Sequence, residues 1–321
     1  MEVKLYIKSD ELYEPITYSG IEWSTQRMGE PGKLVFTCIK DLNISFSEGS
    51  HVRLSVDGKD IFYGFVFEKL RDKNHHIQVT CYDQLRYLKN KDTYVYKNKT
   101  ASELIKIIAS DFNLQVGEIE DTSFKIAKRI DDNQTLFDII YNALDLTLIA
   151  TGKLFVLYDD FGKITLKNIE SMKLDTVIDE TTAENFNYTS SIDGDTFNKI
   201  KLYYDNEKTG KREIYTAQDT SHINHWGILQ LYQKISDGSN GQALADNLID
   251  SKKGKNRKTR NLTINGVKGN LDVRAGVSLP IFLNLGDIQA HNYLIVDQCT
   301  HRFDNDNHTM NIKLIGGVGF V

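Results

Sequence analysis

Side chains able to act as nucleophiles or general bases occur throughout the chain, but not in the spacings that catalysis requires. Nucleophilic catalysis needs a Ser, Cys or Thr held by a base, and the G-x-S-x-G turn that presents such a serine is absent from the sequence. Glycoside cleavage needs a pair of carboxylates, and 44 Asp and Glu residues make accidental pairs unavoidable. We therefore expect no enzymatic activity and no catalytic residue.

Two short clusters contain the residue types that bind metals or phosphate. His75-His76 and the run 304–308 are rich in His, Asp and Asn. A calcium loop of the EF-hand type would continue to a Glu at its twelfth position, whereas residues 309–312 already alternate as a strand. Gly316–Gly319 is glycine-rich, but no helix follows it to receive a phosphate. The sequence predicts hairpin turns at the two clusters, a flexible or docking tail at 316–319, and no metal or cofactor.

The sharpest charge feature is a basic run with six cations in nine residues: Lys252, Lys253, Lys255, Arg257, Lys258 and Arg260. Such a run can hold nucleic acid or an acidic partner, although a solvated loop after a helix, whose C-terminus favours cations, is the simpler interpretation. Burying six unpaired cations would be prohibitively costly, so we expect a loop or an assembly surface. A net charge of -5 favours a protein partner over DNA.

The length of the chain and the spacing of its cysteines limit the classes of protein to which it can belong. At roughly 150 residues per domain, 321 residues suggest two or three domains. Cys38, Cys81 and Cys299 are far apart in apolar alternating segments, which predicts buried thiols in a reducing compartment. Residues 1–14 lack the apolar core of a signal peptide, and every apolar run is far shorter than the ~20 residues of a membrane span. We expect a soluble, intracellularly made protein without a membrane anchor.

Two stretches of the sequence have the pattern of β-structure. Apolar and polar residues alternate with period two over residues 3–82, as in strands with one buried face. Many short strands at this spacing indicate a barrel or a sandwich. The alternation returns from about residue 185, with one helix predicted near 241–252 and ended by Gly254.

Between these stretches the pattern becomes helical. The segment Thr100–Glu103 has the T-x-x-E form of a capping box and predicts a helix over about 101–112. A second apolar stripe predicts a helix over about 135–146. Residues 153–167 form the pattern of a hairpin. Together these elements indicate a small α+β lobe.

One order of features occurs twice along the chain. A glycine opens a strand, an aromatic pair or an Asn-Tyr pair follows, and a polar turn leads to a strand that begins with His. The first copy consists of residues 48–54, 62–63, 71–74 and 76–79, and the second of residues 274–279, 292–293, 304–307 and 308–312. We therefore predict an α+β, β-dominated fold with two related β-domains, residues 1–88 and 176–321, flanking an α+β lobe at residues 89–175.

Seven segments together carry a resemblance to a known family: Cys81–Leu88, Thr100–Ile105, Leu136–Ile140, Thr151–Asn168, Asn198–Leu202, Trp226–Gln230 and His308–Met310. They resemble the tail hub proteins of contractile phages and phage-like elements. The likeness covers most of the chain as a pattern and rests on no single diagnostic motif.

The resemblance implies a structural role and an assembly. In that family, each subunit has two tube-like β-barrel domains, and three subunits form a pseudo-sixfold ring between a hexameric tail tube and a trimeric central spike. It implies a homotrimer with tail tube and spike proteins as partners. The chain would be made in the bacterial cytoplasm and incorporated into a phage or a tail-like bacteriocin.

Two other functions stay open at this point. One is a cell-wall polysaccharide or peptidoglycan hydrolase on a β scaffold, which 16 tyrosines and scattered carboxylates could serve. The other is a nucleic-acid clamp that uses the basic run. Clearing of cell-wall material in a zymogram would favour the first, and DNA binding with a steep salt dependence the second.

Overall fold

A computed structural model of the chain describes residues 1–9, 11–17, 20–40, 45–182, 185–194, 196–206, 209–235, 240–249, 255–286 and 289–315. Strands account for 53% of residues and helices for 18%, which confirms the β-dominated α+β class. Two compact units are present. Unit 1 comprises Met1–Phe186, Thr263–Ile281 and Tyr293–Leu314, and unit 2 comprises Asn187–Leu262 and Phe282–Asn292, together with Ile315. The division at residues 88 and 175 stays a prediction.

The strands of the first half are β1 Val3–Lys8, β2 Leu12–Tyr13, β3 Ile21–Gln26, β4 Lys33–Ile39, β5 His51–Val56, β6 Lys59–Arg71, β7 His76–Tyr82, β8 Lys91–Lys99, β9 Val116–Ile119, β10 Ile126–Thr135, β11 Phe155–Asp159 and β12 Ile164–Asn168. Those of the second half are β13 Ile178–Asp179, β14 Asn185–Ser191, β15 Lys199–Asn206, β16 Lys211–Gln218, β17 Gln230–Lys234, β18 Thr259–Lys268, β19 Ser278–Asn284, β20 Gln289–Asp304 and β21 Asn307–Ile315. The helices are α1 Ala101–Asp111, α2 Leu136–Thr151, α3 Thr220–Trp226 and α4 Gly241–Leu248, with 3₁₀ helices at Gln84–Lys89 and Ile169–Met172.

The main sheet of unit 1 runs in the order β21-β20-β3-β4-β7-β6-β5-β1-β2. Its core follows from the period-two alternation, because Leu34, Phe36 and Cys38 on β4 face Cys81 and the other buried residues of β7. Burying each large apolar side chain contributes about 1.5–3 kcal/mol. The predicted burial of the three cysteines is confirmed. Among the described residues, no strand pairing closes this order into a barrel.

The predicted α+β elements have a hydrophobic core of their own within unit 1, drawn from residues 85–166. Helix α1 begins at the predicted capping box: the Thr100 hydroxyl accepts the Glu103 N–H (3.1 Å), and the Glu103 carboxylate accepts the Thr100 N–H (2.9 Å). Helix α2 runs to Thr151 and not to 146, because the apolar stripe continues through a polar residue. Thr147 is buried, its hydroxyl donates to the Ala143 carbonyl (2.9 Å), and the helix ends at Gly152 with φ +70°.

The duplicated sequence pattern corresponds to a repeated backbone arrangement in unit 1. Gly49 has φ +89°, and its N–H donates to the Val66 carbonyl (2.8 Å), while the Val66 N–H donates to Ser50 (2.9 Å). Gly276 has φ +95°, and its N–H donates to the Val296 carbonyl (2.8 Å), while the Val296 N–H donates to Val277 (2.9 Å). Each of these pairs of backbone hydrogen bonds lies at the start of a meander with a long middle strand. The first meander is β5-β6-β7 and the second is β19-β20-β21.

Unit 2 contains a three-stranded sheet in the order β16-β15-β17. Its small core comprises Ile200, Leu202, Ile235 and Ala245, the last from α4. Helix α4 lies within the predicted 241–252, whereas Gly254 lies outside the described residues. Helix α3 was not predicted, since it is one short element without a buried residue. Within the described ranges, none of the helices has the length and apolar character needed to cross a membrane.

Thr100 offers a test of the capping box. Thr100→Ala removes the hydroxyl that accepts the Glu103 N–H, so we expect the free energy of unfolding to fall by about 1 kcal/mol in a denaturant titration. Thr100→Ser keeps the oxygen and is the control, expected to lose less than half of that. Equal losses in the two variants would show that the methyl group, and not the cap, stabilises the helix.

Candidate functional site

The basic run begins outside the described residues, where Lys252 and Lys253 lie. Of its other members, Lys255 and Lys258 are exposed, and Arg257 and Arg260 are partly buried. The backbone of this segment is held in place, and the Lys255 and Lys258 side chains are exposed, whereas the Nε atom of Arg260 is enclosed. The Phe197 N–H donates to the Lys255 carbonyl (2.8 Å), and the Thr196 hydroxyl donates to the Arg257 carbonyl (2.9 Å). A binding role for these six residues stays a prediction.

A buried asparagine anchors this segment. Asn256 is 2% exposed, and its amide donates to the Asp219 carboxylate (2.7 Å). Asp219 also caps α3 through the His222 N–H (3.1 Å) and contacts the ring of His222, which stacks on Trp226. The cap and the amide lower the pKa of Asp219. This network was not predicted from the sequence, because Asn256 is a single polar residue within a run of cations and has no spacing that marks it as buried.

Three ionisable side chains, those of Asp83, Asp159 and Arg274, form a cluster within unit 1. The Asp83 carboxylate accepts the N–H groups of Gly32 (2.8 Å) and Leu85 (3.0 Å), so it closes a loop and starts a 3₁₀ helix. The Asp159 carboxylate accepts the Gly162 N–H (2.7 Å) and so holds the hairpin turn. We name these three residues the buried acid–arginine cluster.

Arg274 reaches this cluster from a distant part of the chain. Its guanidinium lies 4.1 Å from the Tyr158 ring and donates to the Asp159 carbonyl (3.1 Å). The residue as a whole is only partly buried, but its Nε is enclosed. In the part of the chain that the structure describes, neither that Nε nor Asp159 Oδ2 makes a hydrogen bond, which leaves the opposite charges to interact through space.

Burial dominates the titration of both carboxylates. Burial, and then the neighbouring Asp159 charge, hold the pKa of Asp83 well above its usual range. Burial raises the pKa of Asp159 to about 6, against the lowering effect of the Gly162 N–H. Two carboxyls with raised pKa are what acid–base catalysis would use, but here both are enclosed and engaged by backbone N–H groups. We interpret the cluster as a structural junction.

A second polar cluster surrounds His301, which is fully buried and stacks on Trp23 at 4.9 Å. His301 Nε2 lies 2.7 Å from the Val273 carbonyl and 3.2 Å from Cys299 Sγ, while Nδ1 lies 2.9 Å from His308 Nε2. The carbonyl requires a proton on Nε2, so Nδ1 of His301 accepts from His308 Nε2. Burial lowers the pKa of His301 to about 4 and lowers that of His308.

These residue types suit zinc, but their arrangement does not converge on one ion. Cys299 contacts one nitrogen of the His301 ring and His308 contacts the other, whereas ligands of a single metal must share one point. Over the described ranges, no group of three or more His, Cys, Asp or Glu side chains could hold a metal. His308 lies on β21, at the start of the strand that the repeated pattern predicted, but no sequence signal joined it to His301.

The sequence of the chain is similar to those of known proteins. The sequence pattern of the YQBQ-like family matches residues 21–315, which is most of the chain. The chain belongs to this family. Members of similar sequence include Bacillus subtilis (strain 168) YqbQ, 31% identical over 322 residues that cover 96% of this chain and 95% of YqbQ. The phage-like element PBSX protein XkdQ of the same organism is 29% identical, covering 98% of this chain and 97% of XkdQ.

Solved structures with a fold similar to that of this chain include a prophage tail protein and a component of a secretion system. The 43 kDa tail protein of prophage MuSo2 from Shewanella oneidensis has a TM-score of 0.72 at 12% identity, covering 99% of this chain and 100% of that protein. The E. coli c3393 protein, a component of the type VI secretion system with structural similarity to T4 tail proteins gp27 and gp5, has a TM-score of 0.53 at 12% identity, covering 97% of this chain and 76% of that one. At such identity these likenesses show the fold.

The raised pKa of Asp159 predicts a pH dependence of stability. Its value of about 6 in the folded chain exceeds the ordinary 3.8, so between these values the folded state binds a proton that the unfolded state does not. Lowering the pH from about 7 to about 5 should therefore stabilise the wild type by roughly 1 kcal/mol relative to Asp159→Asn. Denaturant titrations across this range measure the difference. Asp160→Asn, at the exposed neighbouring position, is the control. If the difference in the free energy of unfolding between the wild type and Asp159→Asn did not change with pH, the assignment would be wrong.

The placement of the basic run can be tested by charge reversal. Lys255→Glu combined with Lys258→Glu should change the free energy of unfolding by less than about 1 kcal/mol, because both side chains are exposed. Asn256→Ala, between them, should cost about 1–3 kcal/mol, since Asp219 loses a buried partner. Thermal and denaturant unfolding measure both. A larger loss from the charge reversal than from Asn256→Ala would mean that the cations are buried and paired.

Proposed function

We propose that the chain is the structural hub of a contractile phage-type tail. Three copies form a pseudo-sixfold ring that joins the tail tube to the central spike. Each copy contributes two tube-like β-barrel domains, one from residues 1–88 and one from residues 176–321, with the lobe at residues 89–175 between them. The chain is made in the bacterial cytoplasm and acts as a scaffold in the tail particle.

The observation that carries this proposal is the repeated meander of unit 1. Gly49 and Gly276 both have positive φ, and each N–H donates to a valine of the long middle strand, whose own N–H donates back to the next residue. The same arrangement of backbone hydrogen bonds thus occurs at two distant places in the chain. It supports two copies of one β-domain in each subunit.

A protein that connects a sixfold tube to a threefold spike can do so with a duplicated domain. A tube built from hexameric rings offers six equivalent docking surfaces, whereas a trimeric spike offers three. Three subunits with two similar domains each present six similar positions to the tube and three identical positions to the spike. Such a ring closes through heterologous contacts between unlike faces.

The relatives support a place in a tail. XkdQ is a protein of the phage-like element PBSX, and the MuSo2 protein is a tail protein. The c3393 protein extends the fold to the type VI secretion system and to similarity with T4 gp27 and gp5. Tail tube and spike proteins are accordingly the partners that we propose, and the basic run from Lys252 to Arg260 is a candidate contact with one of them.

Stoichiometry in the assembled particle tests the hub. Cryo-electron microscopy of the intact tail, or of the chain reconstituted with its tube protein, should show three copies per ring, with the Gly49 and Gly276 meanders alternating around the axis. A monomer in isolation is compatible with this, because heterologous ring contacts need not hold free subunits together. Six copies per ring, or three copies without the alternation, would refute the proposal.

A further inference from the structure

The outer face of the three-stranded sheet in unit 2 combines cations with exposed apolar side chains. Register and alternation bring eleven residues to this face, which we name the cation–aromatic face: Lys199, Lys201, Tyr203 and Asp205 on β15, Arg212, Ile214, Thr216 and Gln218 on β16, and Gln230, Tyr232 and Lys234 on β17. The opposite side of the same strands carries Ile200 and Leu202 into the core beneath α4. The outer face is therefore not needed for the packing of unit 2.

Large apolar groups on this face are open to solvent. Ile214 is 52% exposed and Tyr232 is 51% exposed. Ile214 lies opposite Tyr203 on the neighbouring strand, so the exposed apolar atoms are contiguous with the tyrosine pair. Tyrosine and arginine are enriched at the centres of protein interfaces, where they supply much of the binding energy.

The polar groups of the face are already ordered. Arg212 lies 4.3 Å over the Tyr203 ring, Tyr203 stacks on Tyr232 at 4.9 Å, and Lys201 lies 5.8 Å over Tyr232. Asp205 binds Arg212 Nε (2.7 Å) and Lys234 Nζ (3.0 Å), and these hydrogen bonds lower its pKa to about 2. Side chains held in this way lose little entropy when a partner binds.

Charge identifies the partner. The cation–aromatic face carries four cations and one carboxylate, although the whole chain has a net charge of -5. We propose that this face is a docking surface for an acidic protein surface, which brings carboxylates to Lys199, Lys201 and Lys234 and an apolar side chain to Ile214. The proposal goes beyond the hub function, since it depends on unit 2 alone.

Two other occupants fit less well. Single-stranded nucleic acid binds by stacking bases on open aromatic faces, but here the tyrosines stack on each other, and Arg212 and Lys201 also lie over these rings. The fixed Asp205 carboxylate would also repel phosphate. The same face of a second copy would bring like charges together, which is unfavourable for a twofold contact.

The test uses the full chain and a labelled random copolymer of glutamate and tyrosine, which offers carboxylates and apolar rings on a polypeptide. Fluorescence anisotropy should show binding that weakens with salt. Lys201→Glu combined with Ile214→Ala should weaken it by about tenfold or more, as expected for a charge reversal beside an apolar contact. Because Lys201 and Ile214 are surface residues, the variant should unfold at the wild-type denaturant concentration.

The matched control is Lys128→Glu combined with Ile130→Ala on β10, since Lys128 is exposed and Ile130 is 60% exposed. Its affinity for the copolymer should stay within about twofold of the wild type, as for a position outside the interface. Equal losses in both variants, or no loss in either, would overturn the proposal. It would also be overturned if the Lys201 and Ile214 changes abolished binding to oligothymidine, or self-association in sedimentation, and not copolymer binding.

Discussion

The arrangement of unit 1 depends on the Arg274 guanidinium, which donates to the Asp159 carbonyl beside the enclosed side chains of Asp83 and Asp159. Asp83 follows the last strand of the first meander, Asp159 ends the first strand of the lobe hairpin, and Arg274 comes from the start of the second meander. Enclosed charges are tolerated only beside opposite charges and hydrogen bonds. The cluster therefore links three segments that are far apart in the sequence.

The backbone around Arg274 shows the same dependence. The Ala275 N–H donates to the Thr25 hydroxyl (2.9 Å), and a side chain on Gly276 would collide with Val156, so this segment fits closely between the first sheet and the lobe. The carbonyl of Val273 satisfies the buried His301 ring. A segment late in the sequence thus completes a core begun by the first residues, and the two meanders cannot be independent domains on a flexible linker.

Local patterns predicted the local structure. The Thr100 capping box, the hairpin after α2 and the burial of the cysteines depend on residues close in sequence, and these predictions were confirmed. The end of α2 was wrong because Thr147 satisfies its hydroxyl within the helix, which no hydrophobicity pattern reveals. The acid–arginine cluster could not be predicted, since each residue alone has an ordinary role. Asp83 and Asp159 resemble turn and cap residues, and only the tertiary fold encloses them with Arg274.

The two meanders begin with the same pair of backbone hydrogen bonds, but different strands pair with their outer edges. This difference bears on why a ring would contain three subunits. The outer edge of β5 is paired over six residues with β1, whereas the outer edge of β19 pairs, within the described residues, with the short strand β13 and with Lys173 through a single bridge. Domains with unequal edges cannot make six equivalent contacts with their neighbours. They can occupy six similar positions only if they alternate, and alternation is guaranteed when each pair is covalently linked in one chain.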